Sequence, residues 1–374
     1  MDRRHPRRSP ARWLPIAGAL ILVAAVAAAV VIPTAADAQV DLPDKTPAAL
    51  LEFAAASDVT AMTGTIEQTS DLGLPDLSSL MDSSGSADSS ARASDALDLL
   101  TGSHTAKVYL DGDRSRLQVL DRLAERDVYV DRAAGEGWFV DSETKTATHY
   151  TAGGDKDSLE RPDPTVETPQ QMLDDALTRL GESTEISVGT DGRVAGRDVY
   201  ELVLVPMDAA SLVGEARFAI DGETGAALAA SVTARGAEQP AFDIAFTEVS
   251  FAAPDPATLT YTPAPGYTVE TKTLSAPDRD HAATPGQRDS RTDAAHQPIV
   301  HGEGWTAVVE LPQADTSRSG AGGPDASTLE RLTRPVAGGR VLETALVTVY
   351  FTDDGRVFAG AVSADRLAQV AAGD

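Results

Sequence analysis

Cysteine is absent from the 374 residues. That removes disulfides, thiol nucleophiles, cysteine-ligated metals and the acylated cysteine that would tether a bacterial lipoprotein. Lysine is scarce: Lys45, Lys107, Lys145, Lys156 and Lys272 are the only ones among 31 basic residues. Aromatic residues make up 5% of the chain, so any core must be mainly aliphatic. The chain also lacks a phosphate-cradling glycine loop, a G-x-S-x-G elbow, an H-E-x-x-H pair and a calcium loop. Its six histidines are scattered. His296 and His301 stand five apart, which does not fit the i, i+4 spacing of helical metal ligands, and they read as solvent-exposed. Asp353-Asp354-Gly355 reads as an ordinary hairpin turn, and one ring of Trp138-Phe139 as core. Glu303 and Trp305, in GEGW, read as packing within the tail. Neither a catalytic set nor a metal or cofactor site is expected.

Net positive charge is also missing from most of the chain. The formal charge is −26. Residues 1–38 hold Arg3, Arg4, Arg7, Arg8 and Arg12 against two acids, which leaves 26 basic and 55 acidic residues, a balance of −29, in the remainder. Such a body is repelled by nucleic acid and by anionic head groups, so nucleic acid is excluded as a partner. The five arginines precede an uncharged run from Trp13 to Ala36, and Ala36-Asp37-Ala38 follows as a small-x-small triplet. This is an export signal, read either as a cleaved signal peptide or as an N-terminal membrane anchor. Both readings put residues 39–374 outside the cytoplasmic membrane, secreted or anchored by that segment.

Strand and helix signals fill the rest. Thr46-Pro47 opens a helix that runs to about Ser57, and a strand follows over Val59–Thr69. The Ser-rich stretch from Gly73 to Ser94 reads as a mobile lid with Leu74, Leu77, Leu80 and Met81 as its apolar contacts. A short helix is predicted over Ala91–Leu100. Strands fill His104–Tyr150, with turns at Asp111-Gly112, Glu136-Gly137 and Ser142–Lys145. Thr168-Pro169-Gln170-Gln171 is a capping box before a helix whose stripe is Met172, Leu173, Ala176, Leu177 and Leu180. From Arg193 to Gly266, apolar residues alternate with period two, and Asp221–Gly225 and Gly236–Pro240 supply the turns. Tyr200, Leu202, Leu204, Phe218, Ile220, Leu228, Val232, Phe242, Ile244 and Phe246 then share one face of a meandering antiparallel sheet. Residues 269–296 read as a polar linker. Residues 297–374 read as a small α/β appendage, with a helix near Ser327–Leu332, one strand over RVLETALVTVYFT and a last helix from Ser363.

The order of these motifs resembles the LolA-like superfamily, which includes the lipoprotein-localisation carriers and the N-terminal domain of the MucB/RseB regulators. The matching residues are Gly196-Arg197, Tyr200, Leu202, Leu204 and Pro206; Ile220-Asp221 with Thr224-Gly225; Phe242 to Phe251; and Pro265-Gly266. The likeness covers about residues 40–268. The tail starting GEGW resembles only the exported LolA/RseB-like proteins of GC-rich Gram-positive bacteria. The resemblance implies an α+β fold, a curved open antiparallel half-barrel plugged by short helices, with residues 39–268 as the lipid-binding domain. It implies a carrier or sensor without catalysis that holds acyl chains of lipids or lipoproteins in an apolar cleft lined by the ten residues above. A regulator that binds a membrane partner, such as an anti-sigma factor or an ABC transporter, and a structural envelope module stay open beside it.

Overall fold

In the computed structural model, residues 40, 42–73, 102–120, 124–153, 168–179, 183–275, 298–311 and 332–373 are described. The leader, the lid stretch with Leu74, Leu77, Leu80 and Met81, and the short helix expected over 91–100 lie outside them. So does almost all of the helix expected near 327–332.

Helix α1 (Pro47–Ala55) starts where a threonine and a proline make it start: Thr46 Oγ1 accepts the Ala49 N–H at 3.2 Å, and Pro47 needs no partner for a missing N–H. Helix α2 (Pro169–Arg179) opens on the reciprocal capping box. Thr168 Oγ1 accepts from the Gln171 N–H at 3.3 Å, and Gln171 Oε1 accepts from the Thr168 N–H at 2.9 Å.

A thirteen-stranded sheet carries both helices. Its strands are β1 (Ala61–Ser70), β2 (Gly102–Asp111), β3 (Arg114–Leu120), β4 (Glu125–Asp131), β5 (Glu136–Asp141), β6 (Thr146–Gly153), β7 (Thr184–Val188), β8 (Gly192–Val194), β9 (Arg197–Pro206), β10 (Val213–Asp221), β11 (Ala227–Ala234), β12 (Pro240–Ser250) and β13 (Thr268–Ser275). The spatial order is β13-β6-β5-β4-β3-β2-β1-β12-β11-β10-β9-β7, with β8 paired to β9. The sheet is open, α+β in class, and antiparallel except where β13 runs parallel to β6. The first strand therefore lies in the middle, pairing β2 on one side and β12 on the other. It divides the sheet into an early arm, β2 to β6, and a late arm, β7 to β12.

Several expectations need correction. Residues 268–275 form an edge strand, so the linker reading fails over its first part. Glu136 and Gly137 lie within β5, and the turn before them uses Gly135, with φ +73°. The tail is a separate six-stranded sheet of β14 (Ile299–His301), β15 (Val308–Leu311), β16 (Arg334–Val336), β17 (Gly339–Glu343), β18 (Thr348–Thr352) and β19 (Val357–Gly360), in the order β14-β15-β19-β18-β17-β16. The run read as one strand is thus a β17–β18 hairpin. It breaks because Thr344 Oγ1 captures the Leu346 and Val347 N–H groups at 3.3 and 2.9 Å. Helix α3 (Ala364–Ala372), capped by Ser363, closes the unit over Val308, Val341, Tyr350, Phe358 and Val362 through Leu367.

The tail is no loose appendage. Trp305, Leu346, Val347, Val349, Ala359 and Ala361 belong to the same buried cluster as Leu202, Leu204 and Ile244 of the large sheet. Backbone bonds from Ala345 N–H to Leu72 O and from Leu212 N–H to Ala361 O, 2.9 and 2.8 Å, tie the two sheets together. Trp305 Nε1 donates to Thr184 Oγ1 at 2.8 Å. The tryptophan read as packing within the tail thus reaches into the large sheet.

Candidate functional site

The site is the inner face of the large sheet, the side on which the helices lie. Strand register builds it. Leu202 pairs with Phe218 and Tyr200 with Ile220; Phe218 then pairs with Ala230, Ala230 with Ile244, and Val232 with Phe242. Ile244 faces Gln68, and Phe246 faces Ile66. Since side chains alternate across a strand, each of these pairs lies on one face. Nine of the ten residues expected there, Tyr200, Leu202, Leu204, Phe218, Ile220, Leu228, Val232, Ile244 and Phe246, are buried, and Phe242 is half-buried. Leu228 stands at a register shift between β10 and β11.

What covers this late arm is the protein itself. Leu50 and Ala54 of α1, Met172 and Leu173 of α2, and the tail residues named above complete the cluster. Helix α1 lies on β7 and β9, and α2 lies on β11, where Gln170 Oε1 accepts the Ala227 N–H at 2.8 Å. The entry segment closes one end: Tyr200 Oη donates to Pro43 O at 2.9 Å, and the Lys45 ammonium lies 4.5 Å from the Phe53 ring and 5.3 Å from the Tyr200 ring. Burying one leucine in such a cluster contributes about 1.5–3 kcal/mol.

The same face continues across β1 into the early arm. Ile66 pairs with Ala106, Ala106 with Val119, Gly64 with Val108, Val108 with Leu117, Leu117 with Val128, Val128 with Phe139 and Phe139 with Thr148. Here Leu117, Val130, Phe139 and Tyr150 are only half-buried. Gly64 sits at the centre. A Cβ there would lie 2.5 Å from the Phe246 ring and 2.8 Å from Glu248 O, so only glycine lets that ring lie across β1. The alternation in this arm was visible in the sequence, but both of its faces are apolar, so it did not single out Leu117, Val128 or Phe139.

Toward the Ser70 end the inner face turns polar. Gln68 is 4% exposed, and His104 is its partner across the strands. Arg126 pairs with Val119 on the same face. Ser70 pairs with Phe242, and its Oγ is buried without a hydrogen-bond partner. An unsatisfied buried hydroxyl costs about 1–3 kcal/mol.

The outer face differs between the arms. On the late arm Arg217 binds Glu201 and Glu215, each at 2.8 Å, and the bonds to Glu215 and Glu201 hold its guanidinium above its usual pKa despite burial. At the β10–β11 turn Arg197 pairs with Asp221, which also accepts the Thr224 N–H at 2.8 Å. Burial pushes the Asp221 carboxyl up, but these bonds outweigh it and hold it below the usual range. On the early arm the connection from β12 to β13 crosses the outer face. Its Tyr261 packs 5.5 Å from Tyr129 and 5.2 Å from Trp138, and Trp138 stacks on His149 at 4.4 Å. Beneath lies the Arg116–Asp127 pair, 2.8 Å apart. Burial pushes the Asp127 carboxyl up to about 6 against the pull of Arg116, and burial with the Asp127 charge pushes Tyr129 up to about 12.

Among the described residues no cluster of three or more histidine, aspartate or glutamate side chains could hold a metal, and no helix is long and apolar enough to cross a membrane. His301 is paired with Glu310 at 2.9 Å rather than free in solvent.

No family model and no curated protein matches the chain. Among solved structures it is similar to MucB in complex with MucA(peri), at 17% identity over 87% of this chain and 97% of that one, with a TM-score of 0.42. It is similar to the MucA/MucB complex of Pseudomonas aeruginosa, at 17% identity over 86% and 94%, with a TM-score of 0.41. A LolA superfamily protein from Nitrosomonas europaea matches at 9% identity over 58% of this chain and 99% of that one, with a TM-score of 0.21.

Proposed function

We propose that this chain is an extracytoplasmic carrier or sensor of acyl chains, without catalysis of its own. The observation that carries the reading is the single apolar face running in register from β7 to β6, filled on its late arm and half-covered on its early arm. Tyr200, Leu202, Leu204, Phe218, Ile220, Leu228, Val232, Ile244 and Phe246 form the packed end of the cleft. Phe242, half-buried at its rim, meets the chain that lies along Leu117, Val128 and Phe139. Each methylene moved from water onto such a wall contributes about 0.8 kcal/mol, so a short contact suffices to hold a chain. The export signal read in residues 1–38 supports this, because lipids and lipoproteins are found outside the cytoplasmic membrane. Lipid extraction and native mass spectrometry of protein purified from its host membrane fraction test this. Bound acyl species are expected, and a ligand-free protein that takes up no fluorescent fatty acid overturns it.

A second reading, a regulator that binds a membrane partner such as an anti-sigma factor or a transporter, is favoured by the edge of the tail sheet. Ile299 and Val300 on β14 are 52% and 61% exposed, and an uncovered strand edge accepts a further strand. Val300→Lys tests it without disturbing the shared core: loss of a membrane partner in a pull-down supports the regulator, and unchanged capture removes it.

A further inference from the structure

We propose that the Ser70 end of the inner face recognises the carbonyl of an ester- or amide-linked acyl group, so that the ligand is an acylated molecule held in one orientation. This rests on the acyl-binding reading and adds what the cleft requires of the head. Three observations meet at this place. The Ser70 hydroxyl oxygen is buried and has no hydrogen-bond partner, in a face that is otherwise apolar from β7 through β12. Gln68, 4% exposed, is two residues away on the same strand and the same face, with His104 across from it. Ser70 is also next to Phe242 by register, the one residue of the packed arm's set that is only half-buried.

The position decides the chemistry. On one side the late arm is closed by α1, α2 and the tail sheet; on the other the early arm offers the half-buried wall of Leu117, Val130 and Phe139. A hydrocarbon tail on that wall has its polar end at the Ser70 level, because polar residues of the inner face collect there. A hydroxyl donates one hydrogen bond, and an acyl carbonyl accepts one without bringing a charge into a buried place. An alkane leaves the hydroxyl as it is, and an ether oxygen is a weaker acceptor than an acyl carbonyl. The cleft therefore prefers an acyl ester or amide to an ether of equal chain length.

The test is competition of a fluorescent fatty acid by two ligands of the same chain length, a monoacylglycerol and the matching alkylglycerol ether, on the full-length protein and on Ser70→Ala and Ser70→Thr. The ester should compete about three- to tenfold better than the ether on the unmodified protein. Ser70→Ala should remove that preference by weakening the ester alone, while its thermal midpoint does not fall, since a buried unpaired hydroxyl has been removed. Ser70→Thr, which keeps the hydroxyl, should keep the preference. Equal competition by ester and ether, or a preference that survives Ser70→Ala, overturns the inference while leaving acyl binding intact. If neither ligand competes and the fluorescent fatty acid itself does not bind, the acyl-binding reading falls and takes this one with it.

Discussion

The two arms of the large sheet solve the same problem in opposite ways. The late arm puts its core inside, under α1, α2 and the tail sheet, and dresses its outer face with the Arg217–Glu201–Glu215 and Arg197–Asp221 pairs. The early arm puts its aromatic cluster outside, where the β12–β13 connection lays Tyr261 on Tyr129 and Trp138. Its inner face is left half-covered. A continuous sheet thus changes which face holds its densest packing at β1. The late arm is filled by the chain's own side chains, and the early arm keeps a half-buried apolar wall beside them.

The largest test of this division is a pair of truncations. Leu204→Ala, in the filled arm, should cost about 2–5 kcal/mol in urea denaturation, because a cavity is left under the tail sheet. Phe139→Ala, on the half-buried wall, should cost clearly less and should weaken fatty-acid uptake more. If the two costs are equal, the early arm is as closed as the late one and the division fails. Next in size is Gly64→Ala at the boundary. Its Cβ would meet the Phe246 ring and Glu248 O, so about 1–3 kcal/mol should be lost by thermal melting. Combining it with Phe246→Leu should recover part of that loss.

How much of this was written in the chain depends on how local each signal is. The Thr168–Gln171 box and the Thr46-Pro47 start were legible because four residues suffice to form them. The inner face of the late arm was legible because Tyr200, Leu202 and Leu204 alternate with residues that make a different face, and the register keeps them together. The early arm was harder. Val128 and Tyr129, like Trp138 and Phe139, put apolar groups on both faces, and only the crossing of Tyr261 decides which face is sealed. Strand β13 was missed because a polar run, TVETKTLS, becomes a strand through parallel pairing with β6, far away in sequence. The tail's docking was missed for the same reason: nothing near Trp305 in sequence announces Thr184. Ser70 could have been noticed as a serine on the apolar parity of β1, in step with Ile66.

The smallest expected effect bears on the outer cluster of the early arm. Burial raises the Asp127 carboxyl to about 6 in the folded protein, from an unfolded value near 3.8. A raised carboxyl binds its proton more tightly in the folded state, so its contribution is fully present below the unfolded value and is lost as pH rises through about 6. Above that pH the ion pair with Arg116 stands, but the desolvation of Asp127 opposes it. Asp127→Asn keeps an acceptor for Arg116 and removes the titration. The difference in thermal midpoint between Asp127→Asn and the unmodified protein should therefore move in the variant's favour as pH is raised from 4 to 7. Carboxylates that do not contact Asp127 cancel in the difference. A midpoint difference that stays flat over that range would mean that Arg116 offsets the burial of Asp127 as Arg197 offsets that of Asp221, and the contrast between the two outer faces would vanish.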